Sequence, residues 1–148
     1  MNSFQQLRII FFALITGQII YLLVAFILVS NNFNALIENY NSVFGAIITI
    51  IVLGFIGGSK LYYNQAVEKM RGFSLQQKIS AYQTSSIIRF TLLEASNIIC
   101  ITFFLLTGDF LFIGMSFIVI GFFLINIPGR DKFISDFRLN ADEINELK

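Results

Sequence analysis

The chain has 148 residues, 56% hydrophobic and 13% charged, with 18 phenylalanines, a formal net charge of +1, no histidine, no tryptophan, one cysteine and one proline. A water-soluble domain is about a quarter charged, so this composition excludes an ordinary soluble fold and points to a membrane protein. Without histidine or a second cysteine the chain lacks the commonest general base, the usual zinc ligands and any intrachain disulfide; no metal, cofactor or enzymatic activity is expected.

Four apolar runs follow one another, at 7–29, 43–63, 87–106 and 110–127. A helix rising 1.5 Å per residue needs about 20 residues to cross about 30 Å of hydrocarbon, and each run is near or above that length. Strands are excluded, because Ile47, Ile48, Ile50, Ile51, Val52 and Leu53 would load both faces of a sheet rather than alternate. The predicted fold class is all-α, a polytopic membrane protein with four transmembrane helices forming one domain over 1–148. The first run is too long for a signal-peptide core, and no small-x-small cleavage site follows it before Ser30, so it reads as a retained helix.

Charge orients the helices. The connection around Glu38 has no lysine or arginine, and the turn Thr107, Gly108, Asp109 adds only an acid. Arg8 precedes the first crossing; Lys60, Lys69, Arg71, Lys78 and Arg89 surround the middle connection; Arg130, Lys132, Arg138 and Lys148 follow the fourth run. Four crossings bring all ten basic residues to one side, which the positive-inside rule makes cytoplasmic, with both termini there. The expected location of so compact a chain is a bacterial cytoplasmic (inner) membrane.

The middle connection is itself helical. No helix breaker follows Lys60 until Gly72, a residue suited to the position after a helix end, and Ser74 with Gln77 makes a capping box that opens a run continuous with the third span. Helices 2 and 3 are expected to extend as a cytoplasmic hairpin, with Tyr63, Val67 and Met70 on one arm facing Leu75, Ile79 and Tyr82 on the other. Pro128 and Gly129 end the fourth helix. The tail 128–148 beyond them is amphipathic, with Phe133, Ile134, Phe137, Ile144 and Leu147 between charges and Asn140 and Glu143 as a cap signature, and it is expected to pack on the hairpin.

Glu94 is the residue of greatest chemical interest, because a carboxylate inside a span costs roughly 3 kcal/mol on insertion scales. The simpler reading pairs it with Lys60 in an interhelical ion pair; Arg89, about 140° away around the same helix, is a poorer partner. The alternative reading makes Glu94, Asn97 and Gln18 a proton or cation site, with Thr49 and Thr91 nearby. Ala13, Gly17, Gly54, Gly58, Gly114 and Gly121, with Ser96 and Cys100, mark seams of close helix packing, expected inside one bundle in preference to between copies. The acids of the tail are spread along a solvated face and make no metal site, and the bases are too interspersed with acids to bind nucleic acid.

The resulting expectation is a noncatalytic accessory or assembly subunit in the lipid bilayer, binding a membrane-protein partner, or a second copy, through its hairpin and tail. The second expectation is a small proton- or cation-coupled transporter, or a subunit of one, built on Glu94.

Overall fold

The computed structural model describes residues 3–31 and 42–147; the connection around Glu38 and the terminal Lys148 lie outside the described residues. All regular structure among these residues is helical: α1 (Ser3–Ser30), α2 (Ser42–Met70), α3 (Leu75–Thr107), α4 (Phe110–Ile125), α5 (Arg130–Phe137) and α6 (Ala141–Glu146). Three helices are long and apolar enough to cross a membrane, and a fourth crossing exists if α4 and α5, bent by 81°, are one broken span. By itself α4 has 16 residues, or about 24 Å at 1.5 Å per residue, because the helix stops at Asn126 rather than continuing to Ile127. Large apolar side chains point outward all along these helices, as with Phe12, Ile50 and Ile118, and a surface of this kind matches hydrocarbon and not water.

Cross-helix contacts define the topology. Phe11 meets Phe90, Gln18 meets Asn97 and Tyr21 meets Thr102, so numbers rise together and α1 runs parallel to α3. Phe44 with Phe103 and Tyr63 with Tyr82 make α2 antiparallel to α3; Phe110 with Phe104, Ser116 with Asn97 and Phe123 with Phe90 do the same for α4. α3 packs against α1, α2 and α4 and is the axis of the bundle. Its buried face carries Ser85, Ser86, Ser96, Asn97 and Cys100, small or polar side chains that admit neighbouring helices closely.

Two expectations about glycine need correction. Gly72 does not adopt the left-handed conformation of a helix C-cap; Gly108 does, with φ of 70° at the end of α3. Ala13, Gly17, Gly54 and Gly114 face outward, Gly58 and Gly121 are half-buried, and a Cβ added at any of these glycines would meet nothing within 4 Å. They form no close seam within the chain. Space at the real seams is made by Ala25, Ser59, Ser96, Cys100 and Ser116, all buried.

A second apolar cluster lies at the end of the bundle that holds the α2–α3 connection. Tyr63 and Val67 of α2, Tyr82 of α3, Leu7 of α1 and Phe133, Phe137 and Leu139 of the tail are buried together, with Met70, Leu75 and Ile79 against them. Full burial of each phenylalanine contributes about 1.5–3 kcal/mol, which fastens α5 across the end of the bundle. The Tyr82 hydroxyl completes the joint by accepting from the Gly129 amide at 3.1 Å. α6 lays Ile144, with Leu147 just beyond it, against the same cluster and adds polar bonds. Its capping box is complete, with the Glu143 amide donating to Asn140 Oδ1 at 2.8 Å and the Asn140 amide to Glu143 Oε2 at 3.1 Å, and Lys78 Nζ bonds Glu143 Oε1 at 2.5 Å.

The Lys78 bond, followed by the Asn140 amide, holds the Glu143 carboxyl below the ordinary carboxylate range. A depressed carboxyl stabilises the folded form above its unfolded pKa of about 4.3 and loses that contribution as pH falls through the lower folded value. The distance between spin labels at positions 76 and 145 is therefore expected to be short at pH 7 and to lengthen in acid below about pH 4. Glu143→Gln lengthens it already at pH 7; an unchanged distance in that variant shows that the ion pair does not hold α6.

Candidate functional site

Two polar regions interrupt the apolar bundle. The first lies within the spans. Asn97 is fully buried on α3; its Nδ2 donates to Gln18 Oε1 on α1 at 2.8 Å, and its Oδ1 accepts from Ser116 Oγ on α4 at 2.5 Å. One amide thus ties three helices. Gln18 is also buried, and its Nε2 has no acceptor among the described residues. Of the residues read from sequence, Gln18 and Asn97 are brought together as expected, and Ser116 is the member that was missed. Its signal was available: it is the one hydroxyl in the run 110–125.

Glu94 stands apart. It is half-buried and makes no hydrogen bond or ion pair with another described residue, and the expected Lys60–Glu94 pair does not form; Lys60 is exposed. The reason is rotational. α2 contacts α3 on the side of Tyr82 and Arg89, and Glu94 lies about 140° around the helix from Arg89, whereas Asn97, about 60° from Glu94, faces α1 and α4. Glu94 consequently sits at the margin of the side of α3 that carries Asn97, away from α2. Thr49 serves a different neighbour, donating to the Gly45 carbonyl at 2.9 Å and approaching Met115 Sδ at 3.6 Å. The Thr91 hydroxyl bonds back to the Ile87 carbonyl at 3.0 Å, as serine and threonine commonly do within helices.

The second region is the polar end of the bundle, where cations are satisfied mainly by backbone carbonyls. Arg8 Nε donates to Pro128 O at 3.3 Å, Lys132 Nζ to Asn126 Oδ1 at 3.0 Å and Arg71 Nη2 to Asp136 O at 3.4 Å. Tyr63 donates to Asp136 Oδ2 at 2.5 Å, and the Arg89 guanidinium lies over the Tyr63 ring, 4.5 Å from its centroid. Arg89 therefore faces the cluster at this end of the bundle. Lys78–Glu143 is the one salt bridge among the described residues. Two openings flank this end. A groove of about 550 Å³ runs between α2 and α3, lined by Tyr62, Lys69, Met70, Phe73, Gln77 and Thr84 among others. A cleft of about 510 Å³ lies between α2 and α5.

Among the described residues no group of histidine, cysteine or acidic side chains is placed to hold a metal ion. Comparison with protein-family models, with curated proteins and with solved structures gives no match, so function has to be argued from the sites themselves.

The Asn97 cluster makes an asymmetric prediction. Asn97→Leu strands both the Gln18 amide and the Ser116 hydroxyl and is expected to cost about 1–2 kcal/mol. Gln18→Leu merely exchanges one unpartnered donor, Gln18 Nε2, for another, Asn97 Nδ2, and is expected to cost less than about 1 kcal/mol. Reversible unfolding in bicelles measures both, and equal costs would count against this reading of the cluster.

Proposed function

We propose that the protein is a noncatalytic subunit of a membrane assembly, with four crossings, both termini in the cytoplasm of a bacterium-like cell, and a cytoplasmic hairpin formed by the ends of α2 and α3 that receives a helix of a partner protein. The observation that carries this reading is the groove between the two arms. The tail covers one side of the hairpin with Phe133 and Phe137, while the groove lies open on another, with Tyr62 and Phe73 exposed at 42% and 47%. Exposed aromatics beside Met70 and Lys69 supply the large contact area and adaptable surface that recognition of an amphipathic helix uses. The tail acts as a brace that keeps the arms at a constant separation.

Photocrosslinking in native membranes tests it. A crosslinker at position 73 or 77 is expected to give a defined product heavier than the monomer, and one at exposed position 145 is not; Phe73→Ala with Tyr62→Ala abolishes copurification of the crosslinked protein. Monomer mass alone from every groove position removes the proposal.

A second reading has its own observation. The unpartnered Gln18 Nε2, bonded through Gln18 to Asn97 one turn from Glu94, is the kind of unsatisfied intramembrane polar group that marks an ion or proton path. In that reading Glu94 is protonated in the membrane and reacts with a hydrophobic carbodiimide, and Glu94→Gln abolishes labelling. A carboxyl that resists the reagent excludes it.

A further inference from the structure

We propose that the cleft between α2 and α5 binds the headgroup of a phospholipid carrying both a phosphate and a primary ammonium, an ethanolamine phospholipid. The cleft is lined by Asn64, Glu68 and Arg71 from α2 and by Ser135, Asp136 and Arg138 from the tail, together with Tyr63 and Val67. Its wall thus holds two cations and two carboxylates, and none of these is joined to another by a salt bridge. Opposite charges that share one concave surface without pairing suit a ligand that brings both signs at once. The phosphate takes the guanidinium side, where Arg71 Nε is buried with no acceptor among the described residues and Ser135 and Asn64 offer further donors. The ammonium takes the carboxylates; Asp136 engages Tyr63 through Oδ2, leaving Oδ1 with no bond to another described residue, and Glu68 is exposed.

Position favours a lipid over a free solute. Pro128 and Gly129 follow α4, and α5 departs at 81° from it, so that with α4 across the bilayer α5 lies nearly in the membrane plane. That lays Ser135, Asp136 and Arg138 at the depth of the headgroups. Arg138 supports the assignment from the backbone: it takes the left-handed conformation, with φ of 50°, at a turn where glycine is favoured. A choline headgroup fits poorly, because it has no N–H to give the carboxylates, and the one aromatic face lining the cleft, Tyr63, already carries Arg89. A glycerol headgroup supplies phosphate and no cation.

The test is native mass spectrometry of the full chain released from nanodiscs made with equal parts of ethanolamine, choline and glycerol phospholipids. Ethanolamine lipid is expected to be retained about tenfold over the other two, the equivalent of one charge-assisted bond. Arg138→Gly removes the guanidinium while keeping a turn that glycine accepts, and Glu68→Gln alters only an exposed side chain. Arg138→Gly is expected to lower retention of all three phospholipids at least threefold, because each carries the phosphate, and Glu68→Gln to lower the ethanolamine enrichment at least threefold, with helicity and monodispersity unchanged. Equal retention of the three lipids, enrichment that survives Glu68→Gln, or total lipid retention that survives Arg138→Gly overturns the proposal. Stabilisation by soluble phosphoethanolamine equal to that by the lipid would overturn the lipid source and assign the cleft to a free ligand.

Discussion

Hydrocarbon offers no hydrogen-bond partner, and this constraint orders the whole molecule. It makes each span helical, and it makes every buried polar side chain seek a partner on another helix or in its own backbone. Asn97 answers it with bonds to α1 and α4, and Tyr21 with Thr102 adds a further α1–α3 contact. Ser96 and Thr107 return their protons to the carbonyls four residues back. α3 carries most of these groups, so α1, α2 and α4 gather round it, and their remaining faces expose large apolar side chains.

The same constraint relaxes where α4 ends, and the chemistry changes with it. Carbonyls freed at 125–129 accept from Arg8, Lys132 and Tyr82, while the Phe133 and Phe137 rings close over Tyr82. The tail is therefore structural on its apolar side and available on its polar one. Both openings proposed to bind ligands lie here: the groove on a side of the α2–α3 pair that the tail leaves free, and the cleft where tail and pair meet.

Much of this was legible in the residues. Runs of apolar residues of spanning length have one stable outcome in lipid, so the helices could be read directly; the Asn140–Glu143 cap was equally clear, because capping depends on neighbours three residues apart. Small residues were legible as small and not as buried. Gly54 and Gly58 have a spacing that permits close packing, yet α2 turns them away from the rest of the chain, since Ile48, Val52, Ser59 and Tyr63 occupy its inward stripe. Lys60 and Glu94 failed for a related reason. Their similar depth was visible in the sequence, but their azimuth about α3 depends on where α2 docks.

Composition and charge by themselves determined a helical chain with runs long and apolar enough to cross a bilayer and the Asn140–Glu143 cap, because each follows from residues close in sequence and from the cost of polar groups in hydrocarbon. Tertiary structure alone decided which amide would tie three helices, that Glu94 would meet no partner among the described residues, and that Lys78 would meet Glu143 across 65 positions of chain. Those outcomes depend on helix rotation and on the 81° turn after α4. Rotation is set by the packing of several helices at once, a quantity that no local stretch of residues contains.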